Sequence, residues 1–250
     1  MNIEELKKKF RKHVEHYDMN EVAINRKFYH SYRVMDFCLL LAKYNDFNEE
    51  DTNIAMLVGL LHDYSRFEQW EKYKTYSDIK SVDHGDLAVE RLFGNNEIEN
   101  YCSDKKYYDE IYDAIKYHNK YDYPETLSEH NKLLCKIVRD ADKLDIFYLL
   151  GINKDLIKED HYLISDKIRE DFYSNKLIKH TDINNESDDV ILKLAMVFDL
   201  NFKYSFEYLN KYKLIDKIFE NIENKNKFKP YFDYINKYIE ERIGDANVSR

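Results

Sequence analysis

Apolar residues recur at steps of three and four along nearly the whole of this 250-residue chain, and only five glycines and two prolines interrupt them. That spacing lines one face of an α-helix. So few turn residues exclude collagen-like and most turn-rich β architectures, and the expected fold class is all-α. A charged amphipathic helix is expected from Ile3 to about Tyr17, and a longer one from about Asn25 to Tyr44. Asn48 opens N-E-E-D, a helix-start signal with acids in the first turn, and that helix should end soon after Asp63. Residues 64–83 read as a polar, Tyr-rich loop. Further helices are expected over about 85–93, 104–118, 128–150, 189–203 and 228–243. Gly94 and Gly151 read as stops, and Tyr123-Pro124 as a break. No linker rich in Gly, Pro or Ser and no repeat divides the sequence, so one all-α domain over 1–250 is expected, with a helical extension over about 155–245.

Charge narrows the function classes. Thirty-nine Lys and Arg against 48 Asp and Glu give a net charge of −9, which argues against a protein that coats a nucleic acid polymer. A small phosphorylated substrate at a local positive or metal site remains compatible. No apolar run approaches the roughly 20 residues of a membrane span. MNIEELKKKF lacks the apolar core of a signal peptide, so the expected compartment is the cytoplasm. The three cysteines, Cys38, Cys102 and Cys135, contain no CxxC pair. Neither a disulfide framework nor a thiolate zinc site is expected.

Chemistry gathers on a few of the nine histidines. His62-Asp63 directly follows VGLL, and two adjacent polar ligand types there are costly unless something satisfies them. Imidazole plus carboxylate suits a divalent transition metal. Adjacent helix residues diverge by about 100°, but a relaxed last turn lets both converge on one site, or lets the carboxylate bridge two. His30 in KFYHSYRV, His84 in VDHGDLAVERLF, His118 in DAIKYHNK and Asp142 in IVRDADKLD each lie at a helix or helix end with apolar neighbours. A metal site in a helical bundle core requires that pattern. Asp145 shares a face with Asp142 and suits a supporting role, whereas Asp140 is expected at the surface or in an ion pair. His13, His16, His130, His161 and His180 are expected at the surface.

In that order, His30, His62-Asp63 and Asp142 resemble the H…HD…D signature of the HD-superfamily metal-dependent phosphohydrolases. HSYRV resembles the family's HSxRV helix, LLHDYSR its LLHDIGK/R, DADKLD its xADxLx, and HGDLAVERL its HxxxGAxxL element, while YHN supplies a further His. The resemblance covers about residues 25–150. It implies an HD-type helical bundle in which His30, His62, Asp63 and Asp142 hold one metal. Asp63 then bridges to a second metal that also takes His84 and His118. It also implies two divalent ions per chain (Fe, Mn, Co or Ni) and a metal-activated water that attacks phosphorus. The six-ligand set is similar to the binuclear branch, which includes cyclic-dinucleotide phosphodiesterases and diadenosine-polyphosphate hydrolases. Ser65 and Ala88 stand where the family has glycine, and no GYP triplet is present.

The function expected from this resemblance is hydrolysis of a small phosphorylated molecule, in particular a nucleotide. The catalytic set is Asp63, His84, His118 and Arg66. His84 and His118 have an alternative role as phosphate donors or general acid. Arg66 has an alternative role as a helix C-terminal cation, and Lys120 is a weaker phosphate candidate. Lys143 suits pairing with a carboxylate. Trp70, Tyr73 and Tyr76 suit anchoring of the loop after the site, with base stacking as the rival role. Other readings of the whole chain are a mononuclear nucleotidase, an alarmone hydrolase, a catalytically silent nucleotide sensor and a di-iron oxygenase.

Overall fold

The computed structural model describes residues 2–245. Among them the architecture is all-α, and the chain groups into two compact units that divide between Ala141 and Asp142. The first unit carries α1 (Ile3–Val14), α2 (Val22–Tyr44), α3 (Glu49–Leu61), α4 (Arg66–Tyr73), α5 (His84–Val89) and α6 (Tyr108–Tyr117). Helix α7 (Glu129–Ile152) contains the division point. The second unit continues with α8 (Asp166–Tyr173), α9 (Glu186–Ala195), α10 (Lys203–Lys211), α11 (Leu214–Glu220) and α12 (Lys225–Gly244). None of the described helices is long and apolar enough to cross a membrane.

Local chemistry sets the starts of these helices. Asn2 caps α1 by accepting from the Glu5 amide, and Asn48 caps α3 by accepting from the Asp51 amide. Acids occupy the first turn of both, where the helix dipole favours them. In α1 only one stripe, Leu6, Phe10 and Val14, is buried. In α3 every residue from Ile54 to Leu61 is buried, because α2 packs on one side and α6 on another. At Gly59 a Cβ would stand 2.7 Å from Cys38 Sγ and 3.0 Å from Met35 Cα. The missing side chain is therefore what lets α2 and α3 come this close.

Residues 64–83 depart from the expected loop. They fold into α4, followed by a 3₁₀ turn over Asp78–Lys80. Ser65 and Glu68 have capping-box spacing, yet Ser65 Oγ instead donates to the His84 carbonyl at 2.7 Å. Trp70 donates to Glu21, and the Tyr76 hydroxyl to the Ala23 carbonyl, so these aromatics tie the segment to the start of α2. His13 also departs from expectation. It is not a surface residue but half-buried, stacked on Tyr64 with ring centroids 3.8 Å apart. Its Nε2 lies 3.2 Å from the Tyr64 carbonyl. His16, His130, His161 and His180 are exposed.

The second unit is built on aromatic packing. Phe172 contacts Phe198 and Tyr231, and Phe202, Phe206, Phe228 and Phe232 are buried. Buried Asp188 accepts from the Ser165 amide and hydroxyl and from the Asn184 amide, which closes the loop before α9. The expected helix over 189–203 is two elements, α9 with a 3₁₀ turn (Met196–Asp199) and then α10. Gly151 lies inside α7 rather than ending it.

Candidate metal centre

Five of the six residues proposed as ligands meet in the first unit, and all five are buried. His30 lies within α2, His62 caps the C-terminus of α3 and Asp63 follows it. His84 is the first residue of α5, and His118 caps the C-terminus of α6. Two groups form around Asp63. His30 Nε2 and His62 Nε2 are 3.2 Å apart, and each lies within 3.4 Å of Asp63 Oδ2. His84 Nε2 and His118 Nε2 are 2.9 Å apart, and His84 Nε2 is 3.5 Å from Asp63 Oδ1. The two carboxylate oxygens thus face different histidine pairs.

Hydrogen bonds on the far side of the rings assign the tautomers. His62 Nδ1 lies 2.7 Å from the Gly59 carbonyl, and His118 Nδ1 lies 2.6 Å from the Ile115 carbonyl. A carbonyl only accepts, so both Nδ1 atoms carry the proton and, in the neutral rings, both Nε2 atoms present a lone pair. His84 Nδ1 donates to Asp78 Oδ2 at 2.6 Å. Burial pushes the His84 pKa down, with Arg66 adding to the effect and Asp78 opposing it. Its Nε2 is then bare as well. Two lone pairs pointed at each other across 2.9 Å repel unless a cation lies between or beside them.

A divalent ion would supply that cation. First-row ions bind nitrogen and carboxylate oxygen at about 2.0–2.2 Å. Ligands spaced 90–109° apart around such an ion lie about 2.9–3.5 Å from one another at those bond lengths. The donor separations here span 2.9–3.5 Å. The residues present therefore fit an ion at each group, with Asp63 shared. The set is imidazole and carboxylate without thiolate, which suits Mn, Fe, Co or Ni.

Burial alone would raise the Asp63 pKa. The Lys27 ammonium, at 2.5 Å from Oδ2, and the His62 and His30 imidazoles outweigh it and hold the carboxyl well below the usual range. Asp78 is similar: burial is outweighed by the hydrogen bond from His84, by Arg66 and by Gln69, so it too stays ionised. Arg66 reaches Asp63 Oδ1 at 3.3 Å, Asp78 Oδ1 at 2.9 Å, the Gln69 amide oxygen and the Tyr76 carbonyl. It opens α4 and is not a helix C-terminal cation. Gln69, fully buried, donates to Asp78, Ser81 Oγ and the Val82 carbonyl. Asn119 donates to Asp78 and Asp83.

A second close approach mirrors the one at Gly59. A Cβ on Gly85 would lie 2.5 Å from Asn119 Oδ1 and 2.9 Å from the Lys116 carbonyl. The bare glycine after His84 thus admits the end of α6, which carries His118.

Asp142 lies on α7, half-buried, as the first residue of the second unit. Lys143 pairs with Asp199 at 2.6 Å, and Asp145 is fully buried. Asp140 is also fully buried, which excludes the surface alternative of the two expected for it. Lys120 is held by Asp83 and Asp86 at 2.6 and 2.7 Å. Sequence reasoning passed over Lys27, Gln69, Asp78 and Asn119. The available signals were the i, i+3 spacing of Lys27 to His30 and the S-D-x-x-S-x-D-H-G string around Asp78.

The family model described as the HD domain matches residues 28–146. A search of curated proteins and a search of solved structures each found no match.

Proposed function

Residues 28–146 are an HD domain, and from that premise we propose that the chain is a metal-dependent hydrolase of phosphate esters. Its substrate is a small molecule, a nucleotide in the first instance, and it acts in the cytoplasm. One observation carries the reading: five buried donors arranged as two groups around the two oxygens of Asp63. A pair of divalent ions held there supplies Lewis-acid polarisation of the phosphoryl oxygens and an activated water.

The chain's own residues do the rest. His30 and His62 with Asp63 hold one ion, to which the family resemblance adds Asp142. Asp63, His84 and His118 hold the other. The Gly59 and Ile115 carbonyls keep Nδ1 protonated on His62 and His118, and Asp78 does the same for His84. Each Nε2 is thereby committed to the ion. Arg66 braces Asp63 and Asp78 together, so its first role is positioning.

Turnover tests this. The protein, loaded with Mn²⁺ under low oxygen, is assayed against nucleoside mono-, di- and triphosphates, cyclic mono- and dinucleotides, dinucleoside polyphosphates and bis-(p-nitrophenyl) phosphate. Asp63→Ala is run alongside. Product from the wild type and none from Asp63→Ala is the expected result. Silence from metal-loaded wild type across the panel would refute it and favour a nucleotide sensor or, if O₂ is consumed, an oxygenase.

A further inference from the structure

Lys27 touches the carboxylate on the side of the first histidine pair. It lies on α2, three residues before His30, so both side chains leave the same helix face. Its Nζ is 2.5 Å from Asp63 Oδ2, the oxygen that also lies 3.3 Å from His30 Nε2 and 3.4 Å from His62 Nε2. The ammonium therefore borders the volume that an ion held by these three groups would take. Its ammonium lies over the Tyr76 ring, with Nζ 5.7 Å from the ring centroid. Tyr76 is itself fixed by its hydroxyl on the Ala23 carbonyl. The lysine is thus aimed into the site, with about a fifth of its side chain exposed (18%).

An ion placed on Oδ2 would take one of that oxygen's two lone pairs and weaken its hold on the ammonium, because two positive charges a few ångströms apart repel, strongly so in a buried setting. The hydrogen bond that the structure gives Lys27 is the one to Asp63. Once an ion is present, the ammonium needs a different anion within reach of the same spot. In a phosphohydrolase that anion is a phosphoryl oxygen bound at the ions.

We propose that Lys27 is the substrate's oxyanion clamp. It holds Asp63 in the metal-free chain and turns to a non-bridging oxygen of the phosphoryl group when the ions are loaded. The inference rests on the hydrolase reading above and assigns within it a substrate-binding role that no sequence motif marked. A mobile, three-donor ammonium suits this hand-over better than Arg66, whose guanidinium is already committed to four partners.

The test separates metal from phosphate. Wild type, Lys27→Met, Lys27→Gln and Lys27→Arg are stripped, reloaded with Mn²⁺ and analysed for metal per chain. Inorganic phosphate binding is then measured by calorimetry. Folding of each variant is checked by its thermal melt, and Lys27→Gln serves if the methionine variant does not fold. The expected result is manganese binding as tight as in the wild type or tighter, with phosphate affinity lower by roughly 10- to 100-fold, as for loss of a charged hydrogen bond. Lys27→Arg should recover most of it. Unchanged phosphate affinity in the neutral variants would overturn the proposal and leave the hydrolase reading standing. Loss of manganese in them would overturn it too, making Lys27 only the carboxylate's counter-ion. Failure of manganese-loaded wild type to bind phosphate at all would sink the hydrolase reading together with the clamp.

Discussion

The two histidine pairs that flank Asp63 are built by different means. His30 and His62 ride on α2 and α3, long helices buried against each other with Gly59 at their closest approach. His84 and His118 sit at the ends of α5 and α6, which have 6 and 10 residues. There His84 is aimed by Asp78, which Arg66, Gln69 and Asn119 hold in turn. The first pair is positioned by apolar packing and the second by a polar network. Packing of long helices fails globally, whereas a network around one carboxylate can fail locally. The two halves should therefore break separately.

The largest effect should come from the residue they share. On the two-ion hydrolase reading, Asp63→Ala is expected to remove both ions, taking metal content from two per chain to none, and to abolish turnover. Elemental analysis after reloading reads this directly. A variant that keeps one tight ion would show that the halves do not depend on a common carboxylate.

Next come the two glycines. Gly59→Ala drives a methyl into Cys38 Sγ and the Met35 backbone, and overpacking of this kind costs about 1–3 kcal/mol. It should lower the thermal midpoint and disturb both ions. Gly85→Ala meets Asn119 Oδ1 and the Lys116 carbonyl. It should weaken the second ion with a smaller change in melting. Equal losses of stability in the two variants would erase the distinction drawn here.

Asp78→Ala sharpens it further. Removing the group that orients a ligand histidine typically costs about 10- to 100-fold in metal affinity. A metal titration should therefore show one site unchanged and one weakened by that factor. A uniform loss at both sites would mean that Asp78 supports the whole cluster.

A smaller effect is expected at His13. Burial lowers its pKa despite the Tyr64 carbonyl. As pH falls through about 6.5 the unfolded chain takes up a proton that the folded chain resists, so stability declines from there downward. Urea midpoints at pH 7 and pH 5 should draw closer together in His13→Gln than in the wild type. The smallest effect concerns the thiols. Cys38 and Cys135 are buried, and burial pushes the Cys135 pKa up to about 12. Only half-exposed Cys102 should be alkylated in the native protein at pH 8, as read by mass spectrometry.

The unevenness of the site also explains what the sequence made legible. The helix spans of α1, α2, α3 and α7 follow from periodic apolar residues, and the ligand types stand out because they interrupt apolar runs. His62-Asp63 after VGLL is the clearest case. The supporting network lies in residues 64–83, where no period exists. Its contacts, such as Gln69 with Asp78 and Val82 or Asp78 with Asn119, are made only once α4, α5 and α6 are assembled. Helix α4 has only eight residues and buries only Phe67 and Gln69, too short a stripe to register. Lys27 was read past because a lysine on a helix is ordinarily solvated. Only the fold shows it leaning on a buried carboxylate.

The sharing of one carboxylate also fixes how the ions load. On the two-ion reading, four positive charges enter a buried space in which Asp63 is the carboxylate common to both ligand groups and Asp78 stands one hydrogen bond away behind His84. The second ion then enters against the field of the first, and any anion that joins the cluster relieves that repulsion. Phosphate and the second ion should accordingly favour each other's binding, and to the same degree in both directions. Metal content measured in plain buffer would then understate the content during turnover. Adding phosphate to a half-loaded sample should draw in the missing ion.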